Sequence, residues 1–133
     1  MSFPPPPPIL HATAKNAETL VQTTWEPLTL YTGWTSATGI RPPSICKVGQ
    51  IVFISGVLVR NAGGSVGSMA KIPEKYCPTG LPQFIGAGTA SNGGAFELSL
   101  RPNGELRCEG YTGAGNMAGP AYPISCCYVP IRD

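Results

Sequence analysis

Seventeen glycines and fifteen prolines are spread through a chain of 133 residues. Glycine loses the most backbone freedom on entering a helix, and proline removes a donor and clashes with the preceding turn. A text punctuated this densely leaves no room for a long helix after Trp25, nor for alternating helices and strands. Between the punctuation lie short apolar runs that read as strands, at residues 28–31, 45–47, 50–60, 68–71, 84–89, 95–100, 105–110 and 124–130. Regular short strands with turn signals predict an all-β fold, an antiparallel barrel or sandwich.

The clearest element is a hairpin. Phe96, Leu98 and Leu100 alternate with Glu97 and Ser99, Arg101-Pro-Asn-Gly104 makes the turn, and Leu106 and Cys108 alternate with Glu105, Arg107 and Glu109 on the return. The Asn103-Gly104 pair supplies the positive φ that tight turns require. One face reads as core and the other as solvated and charged. Residues 51–54 and 57–59 are instead apolar on both faces, which predicts a strand set between a core and a subunit interface.

Two segments precede the β text. Phe3, Pro4, Pro5, Pro6, Pro7 and Pro8 form a proline arm, and a proline run favours polyproline II at ~3.1 Å per residue. Such an arm is either a disordered tail or a preformed anchor laid along a neighbouring protein, which loses little entropy on binding. Residues 11–24 have the one helix-friendly composition in the chain. Leu10, Ala14, Ala17, Leu20, Val21 and Thr24 form a narrow apolar stripe. A helix this short is marginal alone and would pack on sister copies or on the head. The division is thus an arm and short helix over residues 1–24 and a β head over 25–133.

Only 12% of the residues are charged, about half the usual ~25% for soluble domains. A chain so poor in charge, without a long apolar run, is expected to cover surface with copies of itself or with a partner. Its nine basic residues are scattered singly and the net charge is +2, so the concentrated stripe that binds nucleic acid is missing. No run approaches the ~20 apolar residues of a membrane span. The beginning has neither the basic nor the apolar region of a signal peptide, which predicts cytoplasmic synthesis and assembly. Five cysteines at 46, 77, 108, 126 and 127 form no CxxC pair. They read as buried free thiols, or as free thiols plus one late disulfide.

Catalysis finds little support. His11 is the single histidine, beside the proline arm and far from any nucleophile it could activate. Glu97 and Glu109 could stand at the ~5 to 10 Å separation of a glycosidase pair, but both belong to the solvated hairpin face. No spacing suits a metal, no glycine-rich loop carries the lysine of a phosphate loop, and no cofactor is expected. A binding surface remains. Sugars are held by aromatic faces and by hydrogen bonds from Asn or Arg. The glycine-rich segment carrying Tyr111, Asn116 and Tyr122 is the leading saccharide-contact candidate, unless those rings only cover the barrel end. Arg60 and Asn61 are the second candidate.

Three stretches then follow a recurrent order: Trp25-Glu-Pro-Leu-Thr-Leu-Tyr-Thr-Gly-Trp34, Lys47-Val-Gly-Gln-Ile-Val-Phe-Ile-Ser-Gly-Val-Leu58 and Lys71-Ile-Pro-Glu-Lys-Tyr-Cys-Pro78. The chain from about residue 25 to 131 resembles the head domains of phage tail-fibre and baseplate receptor-binding proteins, including the lower baseplate proteins of lactococcal phages. Thr32 stands where that family often has Asn, and Cys77 where it often has Arg. The resemblance implies a homotrimeric antiparallel barrel on the virion that binds host surface glycan, with Trp25, Gly33 and Trp34 structural. It implies no receptor residue by itself. The same parts would serve a capsid decoration protein or head fibre, anchored to another virion protein through the arm.

Overall fold

A computed structural model of the chain describes residues 24–61, 67–109 and 119–133. The proline arm and the stripe of residues 10–24 therefore lie outside the described residues, apart from Thr24. Twelve short strands form three antiparallel sheets. The first sheet orders β1 (Glu26–Pro27), β4 (Ser44–Val48), β5 (Ile51–Ser55) and β12 (Cys126–Tyr128). The second orders β2 (Thr29–Leu30), β7 (Ser68–Lys71), β10 (Glu105–Glu109), β9 (Ala95–Leu100) and β8 (Gln83–Thr89). The third orders β11 (Ala121–Pro123), β6 (Val57–Arg60) and β3 (Trp34–Ser36). One 3-10 turn, Glu74–Tyr76, is the only helical element among the described residues.

The all-β antiparallel expectation holds, but the strands do not close into a barrel. The chain instead bends out of one sheet into another at three corners. β1 passes to β2 through buried Leu28, whose N–H donates to the Pro43 carbonyl at 3.0 Å. β5 passes to β6 through Gly56, and β11 to β12 through Ile124 and Ser125. The last two corners clamp each other: the Ile124 N–H donates to the Gly56 carbonyl at 3.0 Å, and the Gly56 N–H donates to Ser125 Oγ at 3.2 Å. The apolar run of residues 50–60, expected as one strand, is thus two strands in two sheets. A Cβ at Gly56 would stand 2.7 Å from Pro43 Cβ, so only glycine fits this bend.

The period-two hairpin forms as read. Phe96, Leu98, Leu100, Leu106 and Cys108 all point into the core, and Cys108 pairs with Leu98 across β9 and β10. Its turn is set by Gly104 alone, at φ +95°, since no residue other than glycine has positive φ among the described residues. Gly104 N–H donates to the Arg101 carbonyl at 2.9 Å, and Asn103 Oδ1 accepts from the Glu105 N–H at 3.0 Å. The outward face is not wholly solvated: Ser99 is buried in the row that joins Phe84, Ser99 and Arg107.

All five cysteines are free, but they are not all buried. Cys46, Cys77 and Cys108 are inside, Cys126 is half-buried, and Cys127 is exposed. Burial pushes the Cys126 thiol up to about 11, which keeps it protonated and unreactive. Strand alternation explains the adjacent pair, because consecutive side chains in β12 face opposite ways.

Candidate binding surfaces and their relatives

The sequence-predicted contacts separate in space. Tyr111 and Asn116 lie outside the described residues. Tyr122 is a correction: it is 1% exposed, meeting Trp34 edge-on at 5.3 Å between centroids and Phe96 at 5.4 Å. Its ring fills the core because β11 pairs with β6 and sets Tyr122 opposite Leu58. Arg60 ends β6 opposite Trp34 and is half-buried. Its carbonyl accepts from Gly119 N–H at 2.8 Å, and the Asn61 N–H donates to the Gly33 carbonyl at 2.7 Å. The Arg60 and Asn61 backbones thus hold neighbouring segments in place, and Asn61 remains at the surface.

Two carboxylates of the hairpin, Glu105 and Glu109, are paired with Arg107. Glu105 accepts from Ser68 Oγ and, at 2.7 Å, from Arg107 Nη1. Arg107 Nε donates to Glu109 at 2.9 Å. The Ser68 hydroxyl, with Arg107 beside it, holds the Glu105 carboxyl below the usual carboxylate range. Glu97 stands opposite Glu109 in the ladder and is exposed.

The first sheet turns one face to the outside. Ser55, Phe53 and Ile51 alternate with the buried Val52 and Ile54. Phe53 stands opposite both Cys46 and Cys127. Ile51 is 43% exposed and Val129, two residues beyond Cys127, is 49% exposed. This end of the face is therefore apolar and uncovered within one chain. At the opposite end, Pro27, Ser44 and Ser55 form one cross-strand row. There a hollow of about 380 Å³ is lined by Trp25, Pro27, Arg41, Pro42, Ser44 and Ser55. A second hollow, about 470 Å³, lies beside Thr29, Lys71, Glu74, Pro102 and Asn103, and its lysine is bonded to the Asn103 carbonyl.

These features define an all-β fold of three antiparallel sheets with an apolar outer face and shallow hollows. A solved structure of the same fold is the receptor binding protein (gp15) of Listeria phage PSA, which superposes with a TM-score of 0.56 at 16% identity, over 90% of this chain and 73% of that one. No protein-family model matches the sequence, and no curated protein does. The likeness is therefore one of fold.

Proposed function

We propose that this chain is an adhesion protein of a phage virion, a homotrimeric head that binds a saccharide on the host surface and catalyses no reaction. The observation that carries the reading is the shared fold with a phage receptor binding protein over 90% of the chain. The apolar face around Ile51, Phe53, Cys127 and Val129 supports self-association, since burial against sister copies would remove it from water. Its arm of Pro4, Pro5, Pro6, Pro7 and Pro8 serves as the anchor to another virion protein. Three weak sites on each trimer, and many trimers on a particle, multiply into useful avidity.

The test is to label the full chain with a fluorophore and offer it to host cells and to purified capsids. Labelled cells support adhesion. Decorated capsids with bare cells would assign the chain to a capsid decoration protein or head fibre instead.

A further inference from the structure

We infer that the saccharide subsite of this head is the hollow at the β1 edge of the first sheet, with Trp25 as its stacking platform and Arg41, Ser44 and Ser55 as its polar partners. The inference rests on the adhesion reading above and gives it a place.

A sugar ring presents a C–H face and a rim of hydroxyls, so its site needs an aromatic or apolar wall beside separated donors and acceptors. The hollow has each part. Of the two tryptophans that the resemblance implied to be structural, Trp34 is 4% exposed in the core, but Trp25 is 46% exposed. Pro27 on the edge strand brings an apolar ring and no N–H, so the wall beside Trp25 stays without a donor. The register of three strands then fixes Ser44 and Ser55 in the same row. Ser44 Oγ donates to the Pro42 carbonyl at 3.0 Å, which commits its proton and leaves its lone pairs as acceptors. Arg41 offers guanidinium donors and no acceptor.

The backbone underneath is held firmly. Leu28 N–H donates to the Pro43 carbonyl at 3.0 Å, which joins the segment after Trp25 to the segment after Arg41. Pro43 in turn fills the space that a side chain at Gly56 would need. The platform and the guanidinium therefore come from two segments tied to one corner, the preorganisation that a weak ligand requires.

The lining also selects a ligand class. Among the described residues, one arginine and no carboxylate border the hollow, which suits a neutral or singly acidic pyranoside. The larger hollow beside Lys71 has no aromatic wall among the described residues. The apolar residues suited to a sister copy lie at the far end of the same face, around Ile51 and Val129, so the subsite adjoins the self-association surface without needing to be part of it.

The intact chain, offered to a printed array of bacterial surface saccharides, tests the assignment. Wild-type protein and a Lys71→Gln variant should bind the same saccharides, while Trp25→Ala and Arg41→Gln should each lose at least about tenfold in signal. Both should keep the wild-type melting curve and oligomeric size. Free methyl glycoside of the bound sugar should shift the wild-type tryptophan emission to the blue, and leave a Trp25→Phe variant unchanged. Saccharides bound equally by Trp25→Ala and Arg41→Gln would overturn the site and leave the adhesion reading standing. An array with no bound saccharide would overturn both. A Trp25→Ala protein that lost its oligomeric state would make the hollow an interface and end the proposal.

Discussion

Trp34 and Tyr122 meet edge to face, their ring centroids 5.3 Å apart at 70°, and join two strands that flank β6. The pair shows how the third sheet is held. β3 and β11 do not touch through a ladder, so these rings bridge them beneath β6. Tyr122→Ala should cost about 3–5 kcal/mol, as for other large aromatic truncations in a core. Urea unfolding followed by circular dichroism reads this directly. A surface contact at Tyr122 would instead leave the midpoint unmoved.

Tyr128 closes the opposite side of the core. Its hydroxyl donates to the Tyr76 carbonyl at 2.9 Å, and burial pushes the phenol far above its ordinary value. Tyr128→Phe keeps the ring and strands a buried acceptor, so stability should fall by about 1–3 kcal/mol. In the wild type the Tyr128 phenol should resist alkaline titration, followed as tyrosinate absorbance, and the Phe variant should lack that late-titrating group.

Glu105 provides a pH dependence. Its carboxyl is held below the ordinary value of 4.5, first by the Ser68 hydroxyl and then by Arg107. A depressed folded-state pKa means that the charged form is stabilised by folding, so this contribution is fully present above about 4.5 and is lost as pH falls through the folded value. The difference in unfolding midpoint between wild type and Glu105→Gln should therefore shrink as pH is lowered below 4.5. A constant difference across that window would show that the carboxylate charge is not what matters.

Two glycines should refuse a methyl group. A Cβ at Gly56 meets Pro43 Cβ at 2.7 Å, and one at Gly104, where φ is +95°, meets the Ile72 carbonyl oxygen at 2.5 Å. Either alanine variant should destabilise by more than about 1 kcal/mol, and by more than alanine at exposed Gly93, where φ is +91° but nothing lies within 4 Å, so only the backbone preference opposes it. Thermal melts of the three variants side by side give the ranking.

Ile51→Lys places a charge in the middle of the uncovered apolar face, where Ile51 is 43% exposed. With the fold intact, this should convert the proposed trimer to a monomer in multi-angle light scattering at micromolar concentration. A wild-type chain already monomeric there would remove self-association through this face.

Period two was enough to specify β9 and β10, because each is five or more residues long and core residues recur at alternate positions, Phe96, Leu98 and Leu100 in one and Leu106 and Cys108 in the other. The absence of long helices among the described residues was likewise written in the glycines and prolines. β1, β3 and β11 were not legible, since a strand of two or three residues carries no period, and each exists only because a distant strand supplies its hydrogen bonds. The bend at Gly56 is of the same kind: local text reads one apolar strand, and only the approach of Pro43 decides that it breaks. Tyr122 and Trp25 show the consequence for function. Both are aromatic residues near turn signals, so local sequence cannot rank their exposure. Pairing of β11 with β6 sends Tyr122 inward, while the edge position of β1 leaves Trp25 facing out. Local chemistry set which strands could form, and contacts between residues far apart in sequence decided which rings are left to meet a ligand, because burial belongs to the assembled sheets and not to any one of them.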